Sequence, residues 1–90
     1  MEQFQHYING KFSSGVDYFE TLNPANGKPW ATFPAANEEE SNMAIESAYD
    51  ALYKGPWAEY TATERGKLLH KLGDLILEHA TELGDLETRD

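Results

Sequence analysis

Asp17-Tyr18-Phe19-Glu20-Thr21-Leu22-Asn23-Pro24-Ala25-Asn26-Gly27-Lys28-Pro29-Trp30-Ala31-Thr32-Phe33 is the stretch that decides the fold. Its first six residues alternate, with Tyr18, Glu20 and Leu22 on one face and Phe19 and Thr21 on the other, the period of a strand. Asn23 to Lys28 is turn chemistry from end to end. Pro29 to Phe33 then reads as a returning strand, with Pro29 at its first position, where no ladder donor is required. Upstream, Tyr7-Ile8-Asn9-Gly10-Lys11-Phe12 is a hairpin signature, because Asn-Gly supplies the positive φ angles of a type I′ turn. Ser13-Ser14-Gly15 separates that hairpin from the next strand. The first 36 residues are therefore expected to form a small antiparallel β arm.

Downstream of Ala36 the chain turns helical, and residues 37–90 form a second region. Asn37 caps a first helix, and Glu40 completes a capping box, with Glu38 and Glu39 at the favoured end of the helix dipole. Ile45, Ala48 and Leu52 make its apolar stripe, and Lys54-Gly55-Pro56 stops it. Thr61 to Glu64 is a second capping box. It opens a strongly amphipathic run in which Leu68, Leu72, Leu75 and Ile76 line one face with Leu69 beside them. A break is expected near His79 to Thr81, followed by a third helix that buries Ala80, Leu83 and Leu86. At Asp90 acidic residues crowd a helix C-terminus that no Gly, Asn or Pro closes, so the sequence reads as the opening of a longer one.

Composition excludes several functions. The 90 residues carry 7 Lys+Arg against 16 Asp+Glu, a net charge of −9, which disfavours nucleic acid. With no cysteine there is no disulfide framework, thiolate metal site or catalytic thiol. No apolar run approaches the ~20 residues of a membrane span, and the start shows no targeting pattern, so a cytoplasmic location without membrane contact is expected. Leu, Ile, Val and Phe together stay just under about 20% of the chain, a thin core. The 12% aromatic content is more than disordered segments usually carry.

No catalytic constellation is present. Gly10-Lys11 lacks the rest of a phosphate loop, and no Gly-x-Gly-x-x-Gly occurs. His70 and His79 lie nine residues apart, on opposite faces of a helix, and read as surface histidines. Trp30 and Trp57 read as core anchors, while Tyr49, Tyr53 and Tyr60 fit either an interface ring or ordinary helix packing.

Five stretches occur together in order: His6-Tyr7-Ile8-Asn9-Gly10-Lys11-Phe12, Leu22 to Pro29, Gly55-Pro56-Trp57, Thr63-Glu64-Arg65-Gly66-Lys67-Leu68-Leu69, and Leu86-Glu87-Thr88-Arg89-Asp90. In this register the chain resembles the N-terminal segment of the NAD(P)-dependent aldehyde dehydrogenase superfamily. The resemblance implies an α/β family fold with a Rossmann-type coenzyme domain, of which residues 1–90 are the locally α+β opening: antiparallel strands, then two or three helices. It also implies an oxidoreductase that converts an aldehyde to a carboxylate with NAD or NADP through a cysteine thioester. In the family the thiol, the general base and the cofactor loop lie downstream, so no catalytic or cofactor-binding residue is assigned here and the isolated segment is expected to be inactive. The implied partners are the remainder of the same polypeptide and, in the parent, further copies in a homodimer or homotetramer. One site is implied within these residues: a structural K+ or Na+ held by Thr21, Leu22 and Asp90. The alternative reading is an autonomous small interaction module derived from such a gene.

Overall fold

The computed structural model describes residues 1–90, in the order β1 (Glu2–Gln3), β2 (His6–Ile8), β3 (Lys11–Ser13), β4 (Asp17–Leu22), β5 (Pro29–Ala35), α1 (Glu38–Tyr53), α2 (Pro56–Glu59), α3 (Ala62–Glu78) and α4 (Ala80–Arg89). The β2–β3 hairpin turns through Asn9 at φ 55° and Gly10 at φ 74°, the left-handed pair that the Asn-Gly dipeptide foretells. β4 and β5 pair antiparallel, with Phe19 opposite Phe33 and Thr21 opposite Ala31, and the register shifts between Thr21 and Leu22.

The arm departs from the all-antiparallel expectation. β1 joins the other edge of β5 in parallel, giving the order β1-β5-β4, while the β2–β3 hairpin forms a separate sheet. Two residues with no alternation carry no strand signal; it is β5 that makes Glu2 and Gln3 a strand. β5 also runs two residues past Phe33, through Pro34. β1 pairs with β5 only at Ala31 and Thr32, so Pro34 lies beyond the stretch where a second neighbour would need its missing N–H.

Side chains from β5 and its neighbours form an aromatic ladder. Phe4 stacks on Phe33 at 4.9 Å, Phe19 lies 6.1 Å from Phe33, and Trp30 meets Phe4 edge-on at 6.0 Å. Ala31, at 0% exposure, is the one buried residue of the chain.

The Asn37 capping box forms in full, whereas at Thr61 only the side-chain cap forms, because Glu64 Oε1 accepts from the Thr61 hydroxyl at 3.1 Å instead of from the Thr61 backbone N–H. Glu40 N–H donates to Asn37 Oδ1 at 2.8 Å, and Asn37 N–H donates to Glu40 Oε1 at 3.3 Å. Glu64 N–H donates to Thr61 Oγ1 at 3.2 Å. The helical run breaks at His79, between α3 and α4, inside the expected window. Pro56 at the first position of α2 adds a single turn after the Gly55 stop. Arg65 ties that turn to α3: Nη2 donates to the Trp57 carbonyl at 3.0 Å, and the guanidinium lies 5.3 Å from the centre of the Trp57 ring.

The helices leave their apolar faces open. Leu68, Leu72, Leu75 and Ile76 on α3 are all exposed, Leu72 at 52%. The expected burial on α4 holds only in part: Leu86 is half-buried, whereas Ala80 and Leu83 are exposed. Ile45 and Leu52 of the α1 stripe are exposed too, because α1 meets its neighbours through Glu40, Ser47 and Asp50 instead. The molecule measures 47 × 34 × 15 Å with a radius of gyration of 16.6 Å, against about 12 Å for a compact chain of this length. Its accessible surface is 7314 Å², roughly 2,000 Å² more than a closed monomer of this mass shows. It is a flat layer.

Candidate functional site

Two junctions hold the layer together, and both use pairs far apart in sequence. At the first, the His6 imidazole on β2 pairs through Nε2 with Oε2 of Glu40 on α1, the two side chains being 12% and 14% exposed. Glu40 thus serves twice, capping α1 with one oxygen and holding the hairpin strand with the other. Beside this pair, Gly15 N–H donates to the Tyr18 hydroxyl at 2.9 Å. A Cβ at Gly15 would come within 2.6 Å of Pro34 Cβ, so the close crossing of arm and β5 requires glycine. Sequence reading missed this junction, since nothing local connects residue 6 with residue 40.

At the second junction α4 returns to the sheet. Thr21 Oγ1 donates to Asp90 Oδ1 at 2.9 Å, and the Arg89 guanidinium lies 5.3 Å from the centre of the Trp30 ring. Between them, Phe4, Trp30, Phe33 and Leu86 line a cleft rimmed by Glu87 and Asp90. The resemblance-based candidates are therefore placed as follows. Thr21 and Asp90 touch, although 69 residues separate them. Leu22 follows Thr21 at the register shift of β4, where ladder pairing is irregular. A hydroxyl, a carboxylate and an irregular strand end are oxygen donors of the kind a hard cation takes. No three His, Cys, Asp or Glu side chains converge anywhere in the chain to hold a metal.

His70 and His79 are both exposed, and His79 Nδ1 lies 3.3 Å from Glu82 one turn away, the expected surface arrangement. Trp57 is half-buried against Arg65, and Trp30 is half-buried with its indole N–H enclosed and unpartnered. No helix is long and apolar enough to cross a membrane.

Small sheets, three amphipathic helices and an open apolar side define an α+β layer. The aldehyde dehydrogenase family profile matches residues 12–90, and the chain belongs to that family. It is 48% identical over all 90 residues to the (Z)-2-((N-methylformamido)methylene)-5-hydroxybutyrolactone dehydrogenase of Acinetobacter baylyi. It is 41% identical, again over its whole length, to the 5-carboxymethyl-2-hydroxymuconate semialdehyde dehydrogenase of Escherichia coli. Among solved structures, a Bacillus cereus aldehyde dehydrogenase in complex with NAD+ superposes with a TM-score of 0.93 at 44% identity over 99% of this chain. The chain spans 18% and 19% of the lengths of the two curated relatives, and 18% of the Bacillus chain.

Proposed function

We propose that residues 1–90 are the opening part of the coenzyme domain of an aldehyde-oxidising dehydrogenase and have no activity alone. The observation that carries this is the family match across a chain that spans 18% of its relative. The open faces of α1 and α3 support it: the remainder of the same polypeptide is the partner that covers them. In the parent, an aldehyde becomes a carboxylate through a cysteine thioester, and NAD or NADP accepts the hydride. This chain has no cysteine and supplies none of the reacting groups. Its contribution is a rigid edge, fixed by the ladder and the two junctions, on which the domain is built. The parent is read as a cytoplasmic homodimer or homotetramer.

A structural K+ or Na+ at Thr21, Leu22 and Asp90 belongs to the same reading, with further oxygen ligands supplied from downstream. The Thr21–Asp90 contact supports it by placing two oxygens side by side at a strand end. The cation would tie α4 to β4 in the parent and take no part in the reaction.

The test is the parent with sequence continuing beyond Asp90. Aldehyde-dependent reduction of NAD or NADP by the parent, with none by the 90-residue chain, is expected. A parent that fails to reduce either cofactor across a panel of aliphatic, aromatic and semialdehyde substrates would overturn the reading. For the cation, the parent should melt higher in K+ or Na+ than in a bulky organic cation, and Asp90→Ala should abolish the difference.

A further inference from the structure

The tripeptide Asn-Gly-Lys occurs twice in the chain, at residues 9–11 and again at 26–28. Both glycines have positive φ, 74° at Gly10 and 68° at Gly27, and a Cβ at either would meet nothing within 4 Å. Asn9, Gly10, Asn26 and Gly27 are all exposed. Sequence, access and backbone region are therefore matched. The hydrogen bonds are not. Gly27 N–H donates to the Asn23 carbonyl at 2.7 Å, and Asn26 Oδ1 accepts from Lys28 N–H at 2.9 Å. Gly10 N–H and the Asn9 side chain make no hydrogen bond within the chain.

An asparagine followed by glycine carries a reaction of its own. The glycine nitrogen attacks the asparagine Cγ, forming a C–N bond and losing its proton, and the side-chain nitrogen leaves as ammonia. Water then opens the five-membered imide at either carbonyl, giving aspartate or isoaspartate. Both reacting groups must be free to turn toward each other. At Asn26 the loop ties each of them. At Asn9 neither is tied, and the turn is lightly held: β2 and β3 are three residues each and form a sheet of their own, a marginal hairpin. The His6–Glu40 contact secures the open end of that hairpin, where His6 faces Ser13, and not its turn. The other three asparagines are closed to the reaction. Pro24 after Asn23 has no N–H to give up. Asn37 is held by its capping bond from Glu40 N–H, and Asn42 lies within α1, whose amides are bonded along the helix.

We infer that Asn9 is a site of spontaneous deamidation, and that the loop from Asn23 to Lys28 protects the same tripeptide at Asn26. The two products differ in consequence. Aspartate puts a carboxylate into the groove that position 9 shares with Ser47, Asp50 and Lys54. Isoaspartate adds a main-chain carbon to the two-residue turn that sets Ile8 opposite Lys11, and that pairing is lost. The inference concerns these residues alone and does not rest on the proposed activity.

The experiment incubates the native 90-residue chain and the native parent at mildly alkaline pH. Peptide mapping by mass spectrometry then follows conversion of amide to acid at each asparagine over time. Parallel samples in concentrated urea give the rates without the fold. In urea Asn9 and Asn26 should convert at similar rates, since each precedes Gly-Lys. In both native forms Asn9 should convert at least about ten-fold faster than Asn26, because two hydrogen bonds must open before Asn26 reacts. Equal native rates, a faster Asn26, or a ratio in urea as large as the native one would overturn the inference. Aldehyde oxidation by the parent, present or absent, does not enter the readout, so the two proposals fail separately.

Discussion

The strand layer and helix α3 are made of comparable apolar material yet stand in opposite conditions. In the layer, Phe4, Phe19, Phe33 and Trp30 meet one another, and Ala31 beneath them is sealed. On α3, four apolar residues at helical spacing stand about half exposed, between 43% and 52%. The difference lies in what each element requires. A strand pair with a facing ladder closes on itself within 33 residues, whereas an amphipathic helix needs a second surface to complete it. The layer is self-sufficient, and α3 is half of an interface.

The largest effect should come from the layer. Phe33→Ala removes the ring that Phe4, Phe19 and Trp30 all touch and should cost about 3–5 kcal/mol, measured by urea unfolding, in the 90-residue chain and in the parent alike. Leu72→Ala sharpens the contrast. In the parent it should cost roughly 2–5 kcal/mol, the price of a buried leucine, but in the 90-residue chain under about 1 kcal/mol. Equal costs in both would mean that α3 is already covered within these residues. Gly15→Ala tests the first junction, and with Pro34 in the way it should cost about 1–3 kcal/mol. Asn37→Ala, which removes the side-chain cap of α1, is the mildest change and should cost about 1 kcal/mol in either form. Circular dichroism melts on both forms check the last two.

What was legible in the sequence follows the range of the interactions. The Asn9-Gly10 turn, the caps at Asn37 and Thr61 and the break at His79 are each decided within a few residues, and each is where the pattern puts it. Burial was not local. Leu83 satisfies the periodicity of a core residue yet stands 45% exposed, because periodicity shows which face is apolar and not whether anything covers it. β1 escaped because its strand character comes from β5. The His6–Glu40 pair escaped because the 33 intervening positions contain no signal that the two side chains meet. Family resemblance names Thr21, Leu22 and Asp90 only as holders of a cation, and no pattern in the residues alone pairs a strand threonine with a helix-terminal aspartate by the hydrogen bond that the structure shows.

Amide hydrogen exchange tests the account most directly, comparing the same amides in the 90-residue chain and in the parent. The β4 and β5 amides that bond across the β4–β5 pair should be protected in both forms, because that pairing is present in either. The α3 amides from Leu68 to Ile76 should exchange quickly in the 90-residue chain and at least about a hundred-fold more slowly in the parent, where roughly 2.7 kcal/mol or more of packing would hold them closed. Equal protection of α3 in the two forms would contradict the claim that the rest of the polypeptide completes this layer.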